Sequence, residues 1–326
     1  MSLELILAPI VDDLLEVGRA LEEELRSEIP AVDRVTRHLL SGRGKLLRPA
    51  LVILASRSIG EGVSKSAIRA ATMIEMIHMA TLVHDDMVDG AETRRGIATL
   101  NHKWSDRVSV LAGDYVYSRA LAMLSHEEMH PILGIVAETV CRMSAAELIQ
   151  TDRRGDVTMR EEEYLSIAGD KTASLIRASC RIGSVLADGS KADREALSDF
   201  GWNFGIAFQI VDDLLDFVGS GRKMGKPVGV DLRDGRVTLP LLYMLKEGST
   251  EERQRIAQML DVCGVGTEES WEEAIALVKE RGGVERTREV AGTYTERAKE
   301  AIDTLAPSQA KDTLLLLADF VVDRDG

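Results

Sequence analysis

The chain has 326 residues, 45% hydrophobic and 29% charged, with 54 acidic against 40 basic side chains and a formal net charge of −14. That balance belongs to a folded protein with a core to bury, and its acidity excludes a partner held through nucleic-acid phosphates, which calls for a basic surface. Aromatic residues at 4% and only 7 prolines favour helices, and no apolar run is long enough for a stable membrane insertion.

Leu5, Ile6, Ile10, Leu14, Leu15, Val17, Leu21 and Leu25 recur at helical spacing and predict a helix over 4–26. The first thirty residues lack a basic stretch followed by an apolar one, so no secretory signal is expected. Ser41-Gly42-Arg43-Gly44 interrupts the pattern, and Pro49 suits the first turn of a helix over 49–58. Further helices are predicted over 65–90, 107–124, 132–151, 160–188 and 193–218. Residues 219–235, with five glycines and Pro227, read as a loop. The tail over 238–324 reads as amphipathic helices broken at Gly248, Gly264–Gly266, Gly282–Gly283 and Pro307. No period-two run is long enough to start a sheet, and no composition shift marks a linker. The expectation is an all-α chain forming one domain over 1–326. Cys141, Cys180 and Cys263 form no CxxC pair and read as small buried residues in a reducing compartment, in keeping with a cytoplasmic location.

Two clusters of the form Asp-Asp-x-x-Asp stand inside apolar stretches, at Asp85, Asp86 and Asp89 and at Asp212, Asp213 and Asp216. On a helix, residues four apart share a face, so Asp85 pairs with Asp89 and Asp212 with Asp216. A single acidic turn is usually a solvated surface. Residues 73–83 and 204–211 are too apolar for that, and carboxylates in such a setting call for cations. An all-oxygen site with room for phosphates suits Mg²⁺. Basic side chains accompany the clusters: Lys45 and Arg48, Arg94 and Arg95, Lys171, and Lys226. Mg²⁺ rimmed by Arg and Lys is a polyphosphate site. Two decoys fail. His126-Glu127-Glu128-Met129-His130 has the zinc-protease string, but Pro131 disfavours helix at His130. Glu75-x-x-His78 has no second copy on a predicted helix to complete a di-iron bundle, since Glu127-x-x-His130 falls in the polar break between 107–124 and 132–151.

From Gly44 to Pro240 the chain resembles the trans-isoprenyl (polyprenyl) diphosphate synthases. The motifs run in order: Gly44-Lys45-x-x-Arg48-Pro49, His78, the Asp85 cluster, Arg94-Arg95-Gly96, Leu111-Ala112-Gly113-Asp114, Glu147-x-x-Gln150 and Lys171-Thr172-Ala173. Phe208-Gln209-x-x-Asp212, Gly225-Lys226-Pro227 and Thr238-Leu239-Pro240 follow. The resemblance implies a single large helical bundle of the isoprenoid synthase type with a central active-site cavity, acting as a homodimer. It implies Mg²⁺ held by Asp85, Asp89 and Asp212, with Asp86 and Asp216 in support. Arg94, Lys171 and Lys226 would hold an allylic prenyl diphosphate, farnesyl or geranylgeranyl. Lys45, Arg48, His78 and Arg95 would hold isopentenyl diphosphate. Thr172 and Gln209 would line the developing carbocation, and Phe208 would pack on the homoallylic substrate. Arg43, Leu46 and Ala146 depart from the family's usual residues without removing a proposed ligand.

In this family the product grows along a tunnel beside the first aspartate helix, faced here by Ala80 and Thr81. Small residues at both positions imply an open tunnel and a long-chain all-trans product, beyond geranylgeranyl diphosphate. Met79, Tyr117, Leu121 and Leu124 are candidates for a floor that would instead make a short-chain synthase. A terpene cyclase would not need Lys45, Arg48, His78 and Arg95. A non-catalytic subunit of a heteromeric synthase would have lost a motif that this chain keeps.

Overall fold

The computed structural model describes residues 1–60, 62–218, 228–261 and 267–324. The chain is all-α: α1 (Leu3–Ile6), α2 (Val11–Leu25), α3 (Pro30–Ser41), α4 (Leu47–Arg57), α5 (Lys65–Val88), α6 (Leu100–Lys103), α7 (Asp106–Ala122), α8 (Leu133–Asp152), α9 (Glu161–Ala168), α10 (Ser174–Leu186) and α11 (Lys191–Val218). After these come α12 (Val230–Arg233), α13 (Leu239–Glu247), α14 (Thr250–Asp261), α15 (Glu268–Glu280), α16 (Gly283–Ala301) and α17 (Gln309–Val322). Two compact units are formed. One comprises Met1–Ala137, Ala178–Ser198 and Thr304–Leu314; the other comprises Glu138–Arg177, Asp199–Asp303 and Leu315–Gly326.

In the first unit α5 is the central rod. Its sequence is apolar on nearly every face, and residues from Ala67 to Asp86 are buried all round the helix. Ser64 starts it by accepting the Ala67 N–H. α4 is buried along most of its length, from Pro49 to Ser56. α2 adds Val17, Leu21 and Leu25, all fully buried. Close approach is secured by glycine: a Cβ at Gly113 on α7 would run into the His84 ring of α5, and one at Gly183 into the Val52 carbonyl of α4.

The second unit is built on the C-terminal part of α11, on α13 and on α16. Leu239 to Leu245 are buried throughout. Gly283 lets α16 start directly against the Pro240 carbonyl, where a side chain would not fit.

Several expectations are revised. The 4–26 helix is interrupted by a 3₁₀ turn at Ala8–Ile10, because Pro9 cannot continue a helix from α1. Within the expected 219–235 loop, Val230–Arg233 is helical, and residues 219–227 lie outside the described residues. A two-residue hairpin, β1 (Thr93–Arg94) and β2 (Ile97–Ala98), follows α5. Helix does extend through His130, but as a 3₁₀ segment, Glu127–Ile132, with Pro131 inside it, so His126 and His130 lack the α-helical alignment that zinc needs. Cys180 is buried, but Cys141 is exposed, since α8 leaves one face uncovered; Cys263 lies outside the described residues. No helix among the described residues is long and apolar enough to cross a membrane.

Candidate active site

In the first unit, α5 ends in the first aspartate motif. Asp85 lies in its last turn, and Asp89 caps it, its N–H donating to the Asp85 carbonyl. A helix C-terminus carries partial negative charge, so these carboxylates add to a field that favours cations. Asp86 points the other way and is buried; Arg94 Nε donates to its Oδ1 at 2.7 Å.

Arg94 sits on β1, and the hairpin turn sets Arg95 beside it. Arg95 and Gly96 both have positive φ, 52° and 76°, which is the two-residue turn whose twist matches the strands. A non-glycine residue held at positive φ stores strain, and here the strain aims a guanidinium. Arg95 Nη1 donates to the Gly42 carbonyl at 3.3 Å, and its head lies over Gly44, where a Cβ would collide with it.

Arg94, Arg95, Arg43, Glu75 and His78 line a cavity of about 70 Å³. Glu75 is buried, and burial pushes its carboxyl above the ordinary range while Arg48, Arg95 and Arg43 pull it back. His78 borders the cavity and accepts from Arg48 Nη1 at 3.0 Å. Desolvation, then the charges of Arg48, Arg95 and Arg94, hold the imidazole well below its ordinary pKa, so it stays neutral and its Nε2 is an acceptor. Lys45 is exposed just before α4. Ala80 is buried and Thr81 half-buried, its hydroxyl donating back to the His78 carbonyl.

In the second unit a π-turn, Gly169–Ala173, joins α9 to α10 and carries Lys171 and Thr172. π-turns inside helices recur at functional sites. Lys171 Nζ lies 2.5 Å from Glu147 Oε2 and 2.6 Å from Gln150 Oε1, both on α8. Thr172 Oγ1 donates to Gln209 Oε1 at 2.6 Å, and Gln209 Nε2 donates to Asp213 Oδ1 at 2.6 Å. Asp212 is exposed, whereas Asp213 and Asp216 are buried. Asp216 accepts the N–H groups of Val230 and Asp231, one on each oxygen, at 3.0 Å, and so starts α12. Burial, then the charge of Asp231, pushes the Asp216 carboxyl up to about 6. Asp213 is pushed well up by the same two causes in the same order. Lys226 lies outside the described residues.

Three contributors were not singled out in the sequence. Tyr164 donates to Asp213 Oδ2 at 2.5 Å. Glu75, weighed only as a di-iron element, is the buried carboxyl among the arginines. Arg324 lies with its guanidinium 4.3 Å from the Phe208 ring centroid, and its Nε and Nη2 are buried with no hydrogen-bond partner among the described residues. The chain-end arginine carried no motif that could have flagged it.

A family model described as polyprenyl synthetase matches residues 29–278. Octaprenyl diphosphate synthase of Escherichia coli is 34% identical over 326 residues, covering 100% of both chains. A short chain isoprenyl diphosphate synthase of Methanothermobacter thermautotrophicus is 33% identical and covers 97% of this chain and 99% of its own. Among solved structures, polyprenyl synthase from Caulobacter crescentus CB15, complexed with calcium and isoprenyl diphosphate, superposes with a TM-score of 0.94 at 32% identity, over 100% of this chain and 98% of that one. The chain therefore belongs to the polyprenyl synthetase family and has the helical fold of the isoprenoid synthases.

Proposed function

We propose that the chain condenses isopentenyl diphosphate with farnesyl or geranylgeranyl diphosphate, by ionisation, condensation and elimination, to give a long-chain all-trans polyprenyl diphosphate. The observation that carries this reading is the cavity bordered by Arg94, Arg95 and neutral His78, with Arg48 bonded to His78 behind it. Planar guanidinium forks match diphosphate oxygens, and a neutral imidazole can donate through its other nitrogen without adding charge.

The donor chemistry fits Mg²⁺. Carboxylate oxygens are hard ligands, and Mg²⁺ keeps several waters and takes phosphate oxygens alongside them. Asp85, Asp89 and Asp212 would hold it, with Asp86 and Asp216 in support, directly or through water. Bound there, Mg²⁺ supplies charge stabilisation to the departing diphosphate.

The chain's own groups do the rest. Arg94, Lys171 and Lys226 hold the allylic diphosphate, and Lys45, Arg48, His78 and Arg95 hold isopentenyl diphosphate. Thr172 Oγ1 and Gln209 Oε1 turn oxygen dipoles toward the allylic carbon as it becomes cationic. Phe208 packs on the homoallylic chain. Orientation makes attack by the isopentenyl double bond effectively intramolecular, and loss of a proton to the leaving diphosphate closes the step. Ala80 and Thr81 leave space for the growing chain.

The reading assigns a cytoplasmic homodimer. In support, α7 exposes Val110, Leu111 and Leu121, and α8 exposes Leu133, Leu148 and Ile149. Large apolar side chains grouped along one helix are a feature of surfaces that a partner covers. The test is incorporation of labelled isopentenyl diphosphate in the presence of Mg²⁺ and of a chelator. The reading expects incorporation that the chelator abolishes and Arg48→Ala weakens through KM. Incorporation indifferent to both would contradict it.

A further inference from the structure

The π-turn at Gly169–Ala173 admits one residue more than an α-turn and so re-aims the side chains around it. Two glycines bring this segment hard against α11. A Cβ at Gly169 would meet the Trp202 ring at 2.6 Å, and one at Gly205 would meet Ala173 at 2.5 Å. Hydrogen bonds then fix its side chains. Thr172 donates to Gln209, Gln209 donates to Asp213, and Tyr164 donates to the other Asp213 oxygen, at 2.6, 2.6 and 2.5 Å. Tyr164 and Asp213 are both buried.

The direction of this chain of bonds follows from the two donors that meet Asp213. The Gln209 NH₂ and the Tyr164 hydroxyl each donate to one of its oxygens, which leaves the Gln209 carbonyl end turned to Thr172. Gln209 secures one Asp213 oxygen; the Tyr164 hydroxyl, arriving from α9 on the far side of the π-turn, secures the other. Without that hydroxyl the buried carboxylate loses half its donors and the rotamer they impose. The two adjacent aspartates thus differ in role: Asp212 is exposed, while Asp213 is turned inward to Tyr164 and Gln209.

We propose that Tyr164 is a positioning residue for prenyl transfer: acting through Asp213, it fixes the Gln209 amide and the Thr172 hydroxyl beside the reacting allylic carbon. This rests on the function proposed above, which gives Thr172 and Gln209 to that carbon.

Tyr164→Phe removes one oxygen and keeps the ring. It should lower kcat by roughly 10–100-fold, the usual effect of removing a group that orients a contacting residue. KM for isopentenyl diphosphate should stay within about threefold, since other residues hold that substrate. Thr172→Val should also lower kcat, and the double variant should be little worse than the poorer single one, because both act through the same chain of bonds. A merely structural tyrosine would change the unfolding temperature without this coupling. If Tyr164→Phe does not fold, Asp213→Asn carries the same test, since its amide keeps one acceptor oxygen and cannot accept from both the Gln209 NH₂ and the Tyr164 hydroxyl; the same kcat loss is expected. Wild-type kcat in the folded variant, or losses that multiply, would overturn the proposal. A wild-type chain that incorporates no isopentenyl diphosphate would instead sink the reading beneath it.

Discussion

Gly205→Ala separates stability from catalysis at one position. The added Cβ would lie 2.5 Å from Ala173 Cα and 2.7 Å from Ala173 Cβ. Carbon atoms settle at about 3.5–4.0 Å, so α11 and the π-turn must part by roughly 1 Å. Neither contacting atom can swing away, because one is backbone and the other is attached directly to it. Overpacking of this kind costs about 1–3 kcal/mol. Alanine regains about 1 kcal/mol over glycine inside a helix, so the net loss of stability is on the order of 1 kcal/mol. The catalytic effect is larger. Thr172 precedes Ala173, Gln209 lies one turn beyond Gly205, and their hydrogen bond spans 2.6 Å. Stretched by roughly 1 Å it ceases to be a hydrogen bond. Misplacement by that distance costs about 100-fold in rate. Gly292, inside α16 with nothing within 4 Å of its Cβ, provides the control. Gly292→Ala should stabilise by about 0.5–1 kcal/mol and leave kcat alone. The assay is thermal unfolding alongside initial rates of isopentenyl incorporation. A Gly205→Ala enzyme with wild-type kcat would refute the reasoning, as would a rate loss no larger than its unfolded fraction.

The folded His78 pKa lies below the unfolded value of about 6.5, so its contribution to stability is present above that pH and lost as pH falls, when the unfolded chain takes up the proton that folded His78 refuses. His78→Gln should therefore flatten the fall in denaturant midpoint between about pH 7 and 5; an unchanged slope contradicts a neutral His78. Arg324→Gln, removing the fork beside Phe208, should weaken inorganic pyrophosphate binding about tenfold by calorimetry, the loss expected for charged hydrogen bonds. Equal affinity would show that the fork takes no phosphate. Ala80→Phe should shorten the product, read by thin-layer chromatography of the dephosphorylated chains, and an unchanged length would remove Ala80 from the tunnel. Leu148 is 73% exposed on α8; the proposed homodimer expects Leu148→Glu to shift sedimentation to the monomer, and an unchanged sedimentation coefficient would take α8 out of the interface.

Much of the fold was legible because its main helices are extreme. α5 and α11 are apolar beyond what a surface helix tolerates, so their burial and type could be read from composition alone. The aspartate motifs stood out for the same reason, as charges in an apolar setting. What periodicity does not carry is a local change of pitch. The run over 160–188 reads as one helix, and the single extra residue of the π-turn is invisible in it, although it decides where Thr172 points. Nor does a repeated motif reveal that its members diverge. Asp85 and Asp89 stay at a helix end, while Asp213 turns inward to Tyr164 and Asp216 anchors α12. Partners so distant in sequence, Tyr164 for Asp213 and Arg324 for Phe208, come together only through tertiary packing. Cys141 was read as buried because small apolar residues usually are, and which face of α8 stays uncovered is set by tertiary packing that spacing does not encode.

The most direct test of the central claim is the length of the product. Purified protein is incubated with farnesyl diphosphate, labelled isopentenyl diphosphate and Mg²⁺, and the dephosphorylated products are resolved by thin-layer chromatography. A ladder whose top rung lies beyond geranylgeraniol is the result the account predicts. Products that stop at geranylgeraniol would contradict the open tunnel at Ala80 and Thr81, and no incorporation at all would contradict the synthase itself.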